Sequence, residues 1–259
     1  MVLLSTWWLL RLIRHYFSGL GLTARQHMVD GVHALTKLRH ENIVPLLGVT
    51  TKFDGKISLV SEWMEKGNAH EYVQNCDVDP GPLLLGVASG LQYLHSQAPR
   101  PIFHGALKGS NILISPNGRA LLADFGLFDS PTLANRVGAI NWTSPERLHE
   151  PKGSAAGDVW AFAMTALELF TGMFPFASIR VSDELERRIS QRPPDRPDDM
   201  TTCRRLTDSW WTICLLCWSQ DPSLRPSIDQ VIGIVEDELF QALRRRDSKR
   251  IRRMFEQNA

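Results

Sequence analysis

Apolar residues recur at helical spacing in "RQHMVDGVHALTKLR" (25–39), where Met28, Val32, Leu35 and Leu38 share one face and predict a helix. Two runs of strand-forming residues follow, near 46–53 and 56–62, joined by the turn residues Asp54 and Gly55. Leu83 to His95 is an apolar helical run that ends before Pro99. Short β-like runs at 111–114 and 120–125 flank the turn "SPNG". Asp158 to Thr171 predicts a second apolar helix, with Gly172 at the position of a C-cap. From there to about residue 240 the pattern is helical, interrupted by proline-rich loops such as "RPPDRPDD". A mixed region up to about 62 thus precedes a helical region, which predicts an α+β chain.

Composition narrows this picture. The 259 residues are 43% hydrophobic and 22% charged, as in a packed globular protein rather than a disordered one. A net charge of +1 supplies no overall attraction to nucleic acid or membranes. The four cysteines, Cys76, Cys203, Cys214 and Cys217, are too few and too clustered for a secreted disulfide framework. A reducing, cytoplasmic setting is therefore expected. The apolar opening "MVLLSTWWLLRLI" falls short of the roughly 20 residues that span a bilayer. Arg11 and Arg14 also lie at or after its end, unlike the pattern of a signal peptide. At the other end, residues 244–253 hold seven Arg or Lys, read as a solvated helix end or frayed tail with a nuclear-import or anionic-surface patch as the alternative.

Candidate chemistry lies at the start of the first of these short β-runs and at the end of the second. Phosphoryl transfer needs a metal bridging phosphates, a positioned hydroxyl and cations on the developing charge. Asn111 offers a neutral oxygen and Asp124 a carboxylate, both suited to magnesium. Lys108 offers a point charge for a phosphate. At this spacing "HGALKGSN" (104–111) resembles the H-R-D-L-K-x-x-N catalytic loop of the protein kinase family, and "ADFG" (123–126) its metal loop. "WTSPE" (142–146), "DVW" (158–160), "DPSLRP" (221–226), "LRHENIVPLLGV" (38–49) and "LVSEWMEKGN" (59–68) resemble further family motifs.

The resemblance covers about residues 25–240 and implies a bilobal kinase-like fold. It implies a shortened β-rich lobe to about 62, a helical lobe over about 67–240, an uncertain segment over 1–24 and a basic tail over 241–259. It also implies ATP and magnesium as cofactors, with Ser61, Glu62 and Met64 at the hinge and Asn111 and Asp124 at the metal. Glu146 would pair with Arg225, Asp158 would brace the catalytic loop, and His104 would pack beneath the metal loop. In wording the chain is similar to the tyrosine-kinase-like branch, including its fungal expansions.

Four departures stand out. Ala106 occupies the position of the family's proton-accepting aspartate, and a methyl group accepts no proton. No lysine precedes Lys37, and neither Arg14 nor Arg25 sits in a V-A-I-K-like strand. The helix glutamate falls at Gly31, with Asp30 turned about 100° away. The glycines of "SGLGL" (18–22) lack the spacing of a phosphate loop. Ser130, Thr132 and Thr143 are candidate phosphosites. The reading is a pseudokinase that acts through signalling partners, with ATP and magnesium bound weakly. An active, atypical Ser/Thr or Tyr kinase and a non-functional fragment are the alternatives.

Overall fold

The computed structural model describes residues 13–16, 35–53, 56–125, 140–150 and 152–257. Strands β1 (Ile13–Tyr16), β2 (Leu46–Phe53) and β3 (Lys56–Ser61) form one antiparallel sheet in the order β1-β3-β2. The two runs of alternating residues on either side of Asp54 and Gly55 therefore pair with each other as their pattern requires; the turn itself lies outside the described residues. Most of the helix expected over 25–39 also lies outside them. Its last turn is present at Leu35, where the Leu38 N–H reaches the Leu35 carbonyl at 3.2 Å.

A helical lobe follows, consisting of α1 (Ala69–Tyr72), α2 (Pro80–His95), α3 (Pro145–His149), α4 (Ala155–Thr171), α5 (Ser182–Gln191), α6 (Asp208–Cys217) and α7 (Ile228–Gln257). A small hairpin, β4 (Ile112–Ile114) with β5 (Ala120–Leu122), lies between α2 and α3 in sequence. The second β-run was expected to reach residue 125. It stops at Leu122, because the backbone turns into the left-handed region at Asp124 (φ 59°).

Local chemistry sets the helix ends. Pro80 sits in the first turn of α2, where its missing N–H costs nothing, and Asp79 accepts from the Gly81 N–H. Ser154 caps α4, and Gly172 ends it at φ 69°, a conformation glycine adopts without steric penalty. Every residue from Gly157 to Phe170 is buried, so α4 is the axis of the lobe, apolar all round as a central helix must be. Trp160, Phe162, Phe170 and Trp218 fill the space around it. In "WWTICLLCW" (210–218) Cys214 and Cys217 are free, buried thiols, and burial pushes the Cys217 thiol up to about 12.

One feature was not foreseen. Cys76 and Cys203 form a disulfide that ties the loop after α1 to the loop before α6. Their separation of 127 residues hid the contact in the sequence. The last helix runs without a break past residue 240 to Gln257.

The two regions meet at the β4–β5 hairpin. Leu122 donates to the Asn42 carbonyl (2.8 Å) and accepts from the Val44 N–H (2.9 Å), and Asn42 donates its side-chain amide to the Ala120 carbonyl (2.9 Å). These bonds seat the sheet region on the hairpin that presents Asn111 and Asp124.

Candidate functional site

The loop from His104 to Asn111 is held at both ends by α4. At its start the His104 and Gly105 N–H groups donate to the two oxygens of Asp158 (2.8 and 2.9 Å), which also meets His95 Nε2 at 2.9 Å. Burial pushes the Asp158 carboxyl up. The His95 hydrogen bond, the neighbouring histidines and the Gly105 N–H outweigh that, and the net shift is downward. His104 is fully buried, which lowers its pKa against the pull of Asp158, and its ring meets Phe125 edge-on at 6.4 Å. Asp158 and His104 thus stand where the resemblance placed them.

The other end of the loop rests on Glu168, which sequence reasoning missed. This fully buried carboxylate accepts from Gly109 N–H (2.8 Å) and Trp142 Nε1 (2.9 Å) and pairs with His70 Nδ1 at 2.8 Å. A Cβ on Gly109 would lie 2.5 Å from the carboxylate, so only glycine permits this approach. The signal was present in the sequence: a lone acid inside "MTALELF" must find donors when its helix is buried. The Glu168 hydrogen bond raises the His70 pKa against its partial burial.

Between these anchors lie the predicted site residues. Ala106 is buried; its carbonyl accepts from Asn111 Nδ2 at 2.8 Å, which fixes the orientation of that amide. The Asn111 carbonyl in turn accepts from the Ala123 N–H (2.9 Å), bringing Asn111 next to the strand exit that carries Asp124. A non-glycine residue at φ 59° is held there at a cost of about 1–3 kcal/mol, a pattern that clusters at functional sites. Lys108 Nζ lies 5.8 Å over the Trp142 ring. Gly126, Asp129, Ser130 and Thr132 lie outside the described residues.

At the hinge, Ser61 is buried and donates to the Glu62 carbonyl at 3.3 Å. Met64 packs with Val44, Leu113, Leu121 and Ala123 in a small apolar cluster, while Glu62 is exposed. Leu35, Leu46, Leu59, Ser61, Asp124 and Phe125 line a small cavity of about 20 Å³ between hinge strand and metal loop.

The register of strand β1 sets Arg14 opposite Leu59 of β3, a pairing the sequence did not reveal. A four-residue strand, "IRHY", without its neighbours gave no pattern strong enough to show this. Gly31, Arg25 and residues 18–22 lie outside the described residues.

Far from the cleft, Arg225 donates through both terminal nitrogens to the Glu146 oxygens at 2.7 Å, forming the expected pair. Burial raises the Glu146 carboxyl, but Arg225 and Ser144 reverse this and hold it below its ordinary range.

A sheet region seated on a helical lobe, with a braced loop and Asp124 at their junction, is the architecture of a protein kinase domain. Residues 18–235 match the family model described as protein tyrosine and serine/threonine kinase, and the chain belongs to that family. It is 30% identical over 220 residues to a probable serine/threonine-protein kinase of Dictyostelium discoideum, covering 80% of this chain and 42% of that one. Identity to mitogen-activated protein kinase kinase kinase 7 of Drosophila melanogaster is 28% over 216 residues, 80% of this chain and 31% of the relative. To a probable receptor-like serine/threonine-protein kinase of Arabidopsis thaliana it is 28% over 263 residues, 88% of this chain and 58% of the relative. The chain thus spans less than two thirds of each of these relatives.

Proposed function

We propose that this kinase domain is a pseudokinase of the tyrosine-kinase-like branch, one that holds a magnesium–nucleotide complex weakly and acts by presenting its folded surface to signalling proteins. The observation that carries this reading is the pairing of a kinase-type frame with Ala106: the loop is anchored by Asp158 and Glu168, while its proton-accepting position holds a methyl group. General-base assistance contributes about 10²–10⁴-fold, so its loss slows transfer without touching binding.

The residues present fit the cofactors. Asp124 and Asn111 are hard oxygen donors, and magnesium binds proteins through one or two such groups plus waters and phosphates. Bound there, magnesium would bridge and neutralise the nucleotide phosphates. Asn111 would hold its amide by the Ala106 carbonyl, Asp124 would present its carboxylate from the left-handed turn, and Lys108 would supply a cation. Met64 and Leu113 would form apolar floor for the base.

The test is a nucleotide titration by thermal shift, with and without magnesium, beside a radiolabelled transfer assay. The expected result is a magnesium-dependent rise in Tm with ATP that Asp124→Ala abolishes, and no transfer above background. Robust transfer that disappears in Asp124→Ala would overturn the reading. It would favour an active, atypical Ser/Thr or Tyr kinase, for which the intact placement of Asn111 and Asp124 speaks.

A further inference from the structure

A second cavity, of about 390 Å³ against about 20 Å³ beside Asp124, opens between the loop before α2, the loop before α6 and the last helix. That volume lies within the range of small-ligand sites. Cys76 lines it and is exposed; Cys203, bonded to it, is half-buried. Exposed disulfides are the ones that exchange with external thiols. Cys214 and Cys217, by contrast, are enclosed in the core, and burial raises both thiols.

Backbone strain gathers at the same place. Cys203 and Arg204 are consecutive non-glycine residues at φ 50° and 57°, a conformation that persists only where the surroundings enforce it. Here the Cys203 N–H reaches the Met200 carbonyl (3.1 Å), the Arg204 N–H reaches the Asp199 carbonyl (2.7 Å), and the bridge holds the sulfur. Arg205 joins the two loops independently of sulfur, donating to the Val78 carbonyl at 2.8 Å. Opening the bridge therefore releases Cys203 and Arg204 without parting the loops.

Charge gives the bridge a direction. Cys203 precedes Arg204 and Arg205, whereas Cys76 precedes Asp77. Cationic neighbours stabilise a thiolate, so Cys203 is the better leaving group, and exposure makes the Cys76 sulfur the one reached first. Two acids of the cavity are already engaged: Asp79 accepts from the Gly81 N–H, and Glu238 accepts from Thr207 Oγ1 and Arg245, each at 3.0 Å. Arg204 and Asp77 stand exposed on its lining with opposite charges, and Trp210 and Leu239 add apolar surface.

We propose that the Cys76–Cys203 bridge and this cavity form an exchange site for a small thiol of the glutathione class, its carboxylates meeting Arg204 and Arg245 and its ammonium Asp77. The external thiolate attacks Cys76 Sγ; a bond forms between those sulfurs, the Sγ–Sγ bond breaks, and its electron pair leaves on Cys203, which takes a proton from water. A second thiolate attacks the bound external sulfur. This releases the Cys76 thiolate, which is protonated in turn, and the external thiols depart joined as a disulfide. The protein gains two electrons, and the two external thiols lose one each.

The experiment reduces the full chain with glutathione or with uncharged mercaptoethanol at low salt, each rate divided by that thiol's rate on a free model disulfide and read by alkylation and mass spectrometry. Glutathione should hold an advantage of about fivefold, the size of an exposed Arg–carboxylate contact. Arg204→Asn, which suits the left-handed backbone, should erase that advantage. In Cys203→Ser, oxidised glutathione should place one tripeptide on Cys76 and none on Cys214 or Cys217. Far-ultraviolet circular dichroism of the parent should be unchanged by reduction. Equal normalised rates for the two thiols overturn the proposal, as does a trapped adduct on Cys203 of the parent. Loss of the helical signal on reduction also overturns it, since the bridge would then be purely structural.

Discussion

A methyl group at residue 106 matters because everything around it is in order. The Ala106 carbonyl orients Asn111, and the loop is pinned ten residues apart on one helix by Asp158 and Glu168. Restoring a carboxylate at this position should therefore meet a prepared site. Ala106→Asp is expected to raise phosphate transfer to a generic protein substrate by about 10²-fold or more, read by radiolabelled ATP. No gain would show that the nucleotide is not positioned for transfer. His70 offers a second residue-level test. Its pKa is raised by the Glu168 hydrogen bond, so folding is favoured by its protonation. That contribution is complete below the unfolded value, about 6.5, and is lost as pH rises through the raised folded value. The Tm difference between the parent and His70→Gln should be largest near pH 5.5 and shrink as pH climbs above it; a difference that grows with pH would contradict the pairing.

Elements of strong period were legible in the sequence, and isolated ones were not. The runs 46–53, 83–95 and 158–171 found their places because apolar spacing and end signals agreed. The Glu146–Arg225 pair was legible only through family likeness, since 79 residues separate the partners. Strand β1 went unseen because a four-residue strand declares itself only by pairing, here with β3. The Cys76–Cys203 bridge escaped for the same reason, and its effect belongs to the loops it joins. Arg205 closes the same junction, donating to the Val78 and Phe170 carbonyls at 2.8 and 3.1 Å. A disulfide closing a loop this long removes unfolded-state entropy worth about 4–5 kcal/mol. Cys203→Ser should accordingly lower Tm under oxidising conditions, by several degrees or more. In reductant the variant and parent should melt together. A variant that melts with the parent under both conditions would show that the bridge does not form in solution.

For the molecule as a whole, the helical lobe carries the stability and the sheet region depends on it. The core gathers around α4, with α2 and α6 packed on it and the first half of α7 packed on α2 and α6, while the sheet region is attached through backbone bonds at Asn42, Val44 and Leu122. Glu238 is the last buried residue of α7, and from Leu243 onward the described side chains are exposed. Two shortened chains should then behave very differently. Ending at Arg245 keeps the buried stripe and the Glu238–Arg245 pair, and should change unfolding free energy by no more than about 1 kcal/mol. Ending at Ser227 deletes Ile228, Val231 and Val235 and exposes α2 and α6 beneath them. Each buried aliphatic side chain lost from a core costs about 2–5 kcal/mol, and three exceed the reserve of a domain stable by 5–15 kcal/mol once the rest of the helix is gone. Urea unfolding of both chains measures this. If the chain ending at Arg245 also fails to fold, the helix beyond it is part of the domain's own packing, and the division of α7 into a packed first half and a dispensable end is wrong.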